Sequence, residues 1–321
     1  MKHPAIKHIS GGLMMVFLTL LCAFAQASQD ITISEKTTHI PLAPALRAEV
    51  EAALQKRDFK QAETLLVNEI SKNPNAPEAA KLLTFAAGIF FLDSDYLNTA
   101  IAYKKAEKIA PLDERSRFTL AMAYIRMQRQ NWAAPELERL TQEQPNNALY
   151  WYWLGRVDYD ANKYDQAVIK FNKAVALDPM MMRAYDNLGL CYDHLSNTEA
   201  ALKSYRKALA LNRVQAKPSP WPLVNLAVLL LSKNEMAEAE TLLREALEHD
   251  ANVPSAHYNL GQILEKQGKP MEAIAALNQA ALLDSNYPEP HYTLSRIYQK
   301  QGEKEKAQQA LANFQRLKKT K

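Results

Sequence analysis

The sequence predicts an all-α chain assembled from tandem helix pairs, and three observations carry that expectation. A set of apolar and small residues recurs every 34 positions along most of the chain. Within each copy these residues fall three or four apart in two separate runs, the spacing that places side chains on one face of a helix. Glycine is scarce, 8 residues in 321, against a usual share of about 7%. That shortage disfavours phosphate loops, tight hairpins and nucleophile turns, all of which need residues tolerant of positive φ.

The copy at 148–181 sets the register. Its fourth residue is Trp151, Leu154 and Gly155 stand at positions 7 and 8, and Ala167, Phe171, Ala174 and Pro179 stand at 20, 24, 27 and 32. The copy at 182–215 places Tyr185, Leu188, Gly189, Tyr192, Ala201, Tyr205 and Ala208 in the same register. Further copies occupy 220–253 (Leu226, Ala227, Ala239, Leu243, Ala246), 254–287 (Leu260, Gly261, Ala273, Leu277, Ala280) and 288–321 (Leu294, Tyr298, Ala307, Leu311). Upstream lie 114–147 (Leu120, Ala121, Tyr124, Ala133, Leu137, Pro145), 80–113 (Leu83, Ala87, Phe90, Tyr103, Ala106, Pro111) and a degenerate copy, 43–76 (Ala62, Leu66, Pro74).

Helix packing explains the pattern. Positions 4, 7, 8 and 11 make a stripe on a first helix, and 20, 24 and 27 make one on a second. Small residues at 8 and 20 let the two backbones approach, larger ones at 7, 11 and 24 fill the space around them, and proline at 32 ends the second helix. Gly155, Gly189 and Gly261 occupy position 8, and Gly268 and Gly302 occupy position 15, where the chain turns. Of the glycines beyond the N-terminal segment, Gly88 alone falls outside these two places.

These residues resemble the tetratricopeptide repeat family, whose unit is a 34-residue pair of antiparallel helices. The resemblance implies a right-handed α-solenoid of eight repeats over 43–321, serving as a non-catalytic scaffold for a protein or extended peptide. After residue 27, only 28–42, 77–79 and 216–219 lie outside the repeats, too little chain for a catalytic domain. In the last copy Gln308 and Gln315 stand where inner copies carry Val168, Leu202 and Ile274 or Val175, Leu209, Leu247 and Ala281, Glu240 being an exception, as a terminal repeat with a polar outer face requires. Between 215 and 220 the register breaks at Ala216-Lys217-Pro218-Ser219, followed by Pro220-Trp221-Pro222. Three prolines in five residues forbid continuous helix, as either a longer surface loop or a kink near Trp221.

Residues 1–27 read as a secretory signal peptide: Lys2 and Lys7 precede an apolar run from Leu13 to Ala25, with small residues offered for cleavage after Ala27. The run falls short of the roughly 20 residues that span a bilayer. Leu21 before Cys22 disfavours lipid attachment, since bacterial lipoprotein signals resemble one another in having Gly, Ala or Ser there. An exported, periplasmic or extracellular protein follows, with 28–42 as a linker and no stable membrane insertion after cleavage. Removal of Lys2 and Lys7 lowers the formal charge from +4 to +2, which gives no reason to expect a nucleic-acid partner. Cys191 is then the one cysteine, so stability rests on packing and not on an internal disulfide.

In resembling proteins the first helices line a concave groove, and positions 2, 5, 6, 9, 12 and 13 meet the ligand. The resemblance therefore points to Tyr152, Tyr258 and Tyr292 at position 5, Trp153, Asn187, Asn225 and Asn259 at position 6, and Arg156 at position 9. The three asparagines resemble the ladder of O-GlcNAc transferases, where amides grip a peptide main chain; an amide both donates and accepts. The carboxylate clamp of chaperone-binding members is not matched. A second reading takes Trp153 as a stacking face for glycan or peptidoglycan. His257 and His291 at position 4 replace core aromatics, and Cys191 reads as a small buried hydrophobe. Neither a catalytic constellation, a metal site nor a cofactor site is expected.

Overall fold

The computed structural model describes Thr37 and residues 39–319. The expected signal segment 1–27 lies outside the described residues, as does the linker up to residue 36. Among the described residues sixteen α-helices and no strand are present: α1 (Pro44–Gln55), α2 (Phe59–Lys72), α3 (Pro77–Leu92), α4 (Tyr96–Glu107), α5 (Glu114–Arg126), α6 (Gln130–Glu143), α7 (Ala148–Asp160), α8 (Tyr164–Leu177), α9 (Met182–His194), α10 (Thr198–Arg213), α11 (Trp221–Ser232), α12 (Met236–His249), α13 (Pro254–Lys266), α14 (Pro270–Leu283), α15 (Pro288–Lys300) and α16 (Lys304–Lys319). They form an all-α chain of helix pairs. The chain divides into two compact bodies, one ending at Glu136 and one beginning at Leu137, so α6 contributes to both.

One turn joins the two helices of every pair. It has three residues, and the middle one lies in the left-handed region: Arg57, Ser94, Gln128, Asn162, Ser196, Asn234, Gly268 and Gly302, at φ from +57° to +79°. The next residue donates its backbone N–H to the carbonyl five residues back, as in Asp58 to Ala53, Lys163 to Asp158 and Glu303 to Tyr298, at 2.8–2.9 Å. This is the bond of the Schellman motif, which satisfies a carbonyl at the helix end. Glycine thus serves the turn in two repeats, and other residues adopt the same strained conformation in six.

Position 8 shows why glycine is needed there. A Cβ on Gly155 would come within 2.9 Å of the Phe171 ring, one on Gly189 within 2.4 Å of the Tyr205 ring, and one on Gly261 within 2.7 Å of Leu277. Residues 8 and 24 of these three repeats are therefore in direct contact across the helix pair. The core of the second body continues this stack through Leu223, Leu226, Leu230, Leu243 and Ile263, all buried.

Connections between repeats use side-chain oxygens. Asp178, Asp250 and Asp284 each accept from the N–H two residues on, at 2.8–3.0 Å, an Asx turn that replaces lost helical bonds. The ring nitrogens of Trp151 and His257 contact the carbonyls of Pro145 and Ala251 at 2.8 and 2.9 Å. His257 thus makes the bond that tryptophan makes in an earlier repeat.

Two details depart from the repeat spacing. Residues 77–79, left between copies by the spacing, form the first turn of α3. The proline-rich break is a loop over 214–220, closed at its mouth by Asn212. The Asn212 amide donates to Ser219 O and accepts from Ser219 N, both at 2.8 Å. Trp221 opens α11 and packs, half-buried, on the core.

Candidate functional site

In the second body successive first helices touch: α7 meets α9, α9 meets α11, α11 meets α13 and α13 meets α15. Neighbouring second helices are instead bridged by long side chains, Arg206 to Glu238 and Arg213 to Glu245. The row of first helices is therefore the shorter, inner side, and positions 2, 5, 9, 12 and 13 of each repeat fall on it.

The residues expected to meet a ligand there are largely buried and engaged within the chain. Trp153 is 4% exposed and meets the Tyr152 ring edge-on at 5.4 Å; Tyr152 is buried as well. Asn187 donates to Arg183 O at 2.7 Å and accepts from Arg156 Nη1 at 2.6 Å. Arg156 also donates through Nη2 to Asp160 at 3.0 Å. Asn225 donates to both carboxylate oxygens of Asp186 at 3.1 Å. Asn259 donates to Ser255 O at 2.7 Å. The three asparagines expected to form a ladder are thus buried: Asn187 and Asn225 bond to Arg156 and Asp186 of the preceding first helix, and Asn259 bonds to a carbonyl of its own helix. Trp153 at the same position is covered as well, which removes the ring face that a sugar would stack on. Tyr258 stays half-buried, and Tyr292 is 46% exposed.

Burial pushes the Asp186 carboxyl up to about 6, against the Asn225 hydrogen bond and the Arg156 charge, which both favour ionisation. The acid is covered at position 5, where the other repeats of the second body carry tyrosine or Val224.

The partly open apolar side chains of this inner face are different residues. Leu190 on α9 and Trp221, Val228 and Leu231 on α11 lie against the core yet keep surface open. Beyond them, α13 and α15 line a cavity of about 300 Å³ with Gln262, Glu265, Lys266, Arg296 and Lys300. Leu190, Val228 and Leu231 sit at positions 9 and 12, the former the position that Arg156 holds in the repeat before Leu190.

In the first body Arg47 and Glu51, at positions 5 and 9 of their repeat, bond to the segment that precedes α1. Arg47 Nη2 donates to the carbonyls of Ile40 and Leu42 at 3.1 and 3.3 Å, and Thr37 Oγ1 donates to Glu51. At position 4 of α5 stands Arg117, 1% exposed, where other repeats carry rings or leucine. Its Nη1 donates to Glu107 at 3.1 Å and Glu136 at 2.7 Å.

Among the described residues no group of three or more His, Cys, Asp or Glu is arranged to hold a metal ion. No helix among them is long and apolar enough to cross a membrane. Cys191 is buried, and burial pushes its thiol up to about 12, which keeps it protonated near neutral pH. His291 is partly buried, and this burial, followed by the Arg316 charge, lowers its pKa.

The tetratricopeptide repeat pattern matches residues 118–179, 155–218 and 224–289, and a second pattern of that name matches 288–320. The chain belongs to the tetratricopeptide repeat family. It is a repeat protein of the class that generally serves as a non-catalytic scaffold for protein or peptide partners. Superkiller complex protein 3 of Homo sapiens is 26% identical over 145 residues, covering 42% of this chain and 9% of that protein. Tetratricopeptide repeat protein 37 of Xenopus laevis is 27% identical over 180 residues, 52% of this chain and 11% of that one. The chain therefore spans about a tenth of the length of these curated relatives. Among solved structures, a tetratricopeptide repeat protein from Parabacteroides merdae superposes with a TM-score of 0.62 at 16% identity, over 83% of this chain and 98% of that one. The Cut9–Hcn1 heterotetramer of the APC/C gives 0.61 at 18%, over 86% and 53%. PilW, a type IV pilus biogenesis factor, gives 0.56 at 20%, over 63% and 92%. At these identities the likeness is one of fold.

Proposed function

We propose that this repeat protein is an exported, non-catalytic scaffold that holds a segment of a protein partner along the inner face of its second body, within a cell-envelope assembly. The observation that carries the reading is the partly buried apolar row Leu190, Val228 and Leu231, bordered by Trp221 and Tyr258, whose remaining surface is open. Apolar surface left open on the inner side of a helical array suits an extended or helical segment that covers it. The envelope part rests on Lys2, Lys7 and the apolar run to Ala25; the pilus biogenesis factor of like fold is compatible with it. Glycan binding is not favoured, because the Trp153 ring is covered.

Capture from native envelope extract by the wild type and by Val228→Glu with Leu231→Glu tests the reading. Loss of the captured protein at unchanged helicity is expected; identical capture by both would sink the inner-face assignment. The mass of the protein recovered from that fraction tests export, for which a chain beginning at Ser28 is expected and a chain that retains residues 1–25 would count against it.

A further inference from the structure

We propose that the α13–α15 end of the inner face is a carboxylate-binding site for acidic side chains of the bound segment. The partner segment is then amphipathic in sequence, apolar where it crosses α11 and acidic where it reaches α15. This deepens the inner-face reading and rests on it.

Position 9, 12 and 13 residues of two successive repeats meet around the cavity. Glu265 Oε1 accepts from Arg296 Nη2 and from Lys300 Nζ, both at 2.9 Å. The carboxylate is the recessed partner, its side chain 10% exposed against 48% for Arg296 and 67% for Lys300. Lys266 adds a third cation on the rim, so three positive groups surround one negative group. Glu265 acts as an internal counter-ion: it holds the two cations at the cavity and leaves the outer edge of the guanidinium and the remaining ammonium protons turned to solvent. A planar guanidinium fixed on one side is preorganised to take a second carboxylate on the other.

The contrast with Arg156 sharpens the point. That guanidinium faces the same side of the body, but Asn187 and Asp160 take its donors and it is 18% exposed at the side chain. Gln262 donates to the Tyr258 hydroxyl at 2.7 Å, which fixes its amide beside the cations and joins the polar end to the apolar row. Exposed ion pairs are individually weak. Apolar contact on α11 therefore supplies most of the affinity, and the cations set direction and register by charge complementarity.

The test uses two fluorescein-labelled, C-terminally amidated peptides, one with Leu-Val-Leu followed by Glu-Glu-Asp-Glu, the other with four lysines at the acidic places. Fluorescence anisotropy with the full chain should show the acidic peptide binding about tenfold tighter at about 0.05 M salt, with the advantage shrinking at about 0.5 M. Lys266→Glu with Arg296→Gln and Lys300→Gln should abolish the preference at unchanged helicity. Lys266→Glu alone, at a residue outside the Glu265 ion pairs, should weaken it where the triple variant folds poorly. Equal binding of the two peptides, no binding of the acidic one, a preference surviving in the variants, or tighter binding of a single-stranded oligonucleotide of equal charge would each overturn the proposal. If the triple variant still captures the envelope partner while Val228→Glu with Leu231→Glu does not, the acidic end fails and the inner-face reading stands.

Discussion

Asn225 on α11 donates its amide to both carboxylate oxygens of Asp186 on α9, at 3.1 Å each, across the proline-containing break between two repeats. The carboxylate is buried, with Arg156 as a nearby charge and the Tyr152 and Tyr205 rings around it. Its pKa is about 6 in the folded chain and about 4 when unfolded. Between those values the folded state holds the extra proton, so stability is greatest below pH 4 for this group and falls as pH rises through 6. Asp186→Asn keeps an acceptor for Asn225 and removes the buried charge. Urea unfolding should find the variant more stable at pH 7 by about 1–3 kcal/mol, with the gap closing towards pH 4. An equal loss of stability at both pH values would contradict this account.

Arg117 is a second buried charge, and two of its nitrogens, Nε and Nη2, lie buried without partners. Arg117→Met strands Glu107 and Glu136, with Lys104 remaining to both, and should cost about 2–4 kcal/mol. Adding Glu107→Gln and Glu136→Gln should recover most of that. The ion triad is a net stabiliser only if the triple variant melts well below the wild type.

Turn residues offer a cleaner test. Arg57→Gly, Ser94→Gly and Gln128→Gly relieve positive φ in non-glycine residues and should each raise stability by about 0.5–1 kcal/mol. Asn162→Gly and Asn234→Gly should gain less, because asparagine tolerates that region. Gly302→Ala should lose about 1 kcal/mol. Thermal melts of the series check the order.

Two helical glycines should respond oppositely to alanine. Gly189→Ala drives a methyl into the Tyr205 ring and should cost about 1–3 kcal/mol. Gly88→Ala in α3 meets open space, so its higher helix propensity should add up to about 1 kcal/mol.

The fold was legible because its signals are local: the stripes at positions 7, 8, 20 and 24 depend on spacing along one helix, and Phe171 does pack against Gly155. The site was less legible. Whether Asn187 is free depends on Arg156, 31 residues away, reaching it, and no periodicity in one repeat encodes that reach. Asn187, Asn225 and Asn259 are therefore buried, whereas Leu190, Val228 and Leu231 keep part of their surface open. The turns failed differently. Glycine marks two of them, while the Schellman bond, which is all backbone, imposes the same φ on arginine and glutamine.

The three-residue turns and the 214–220 loop together decide where this chain can change length. One residue more or fewer in a turn rotates the following helix by about 100° and carries its buried stripe to the surface. The loop is insulated from that, because Asn212 ties Ser219 at its mouth whatever length of chain lies between them. A reporter tag or a small domain spliced after Lys217 would leave the register of both flanking helices intact, which makes this loop the practical attachment point for labelling the scaffold without disturbing its inner face.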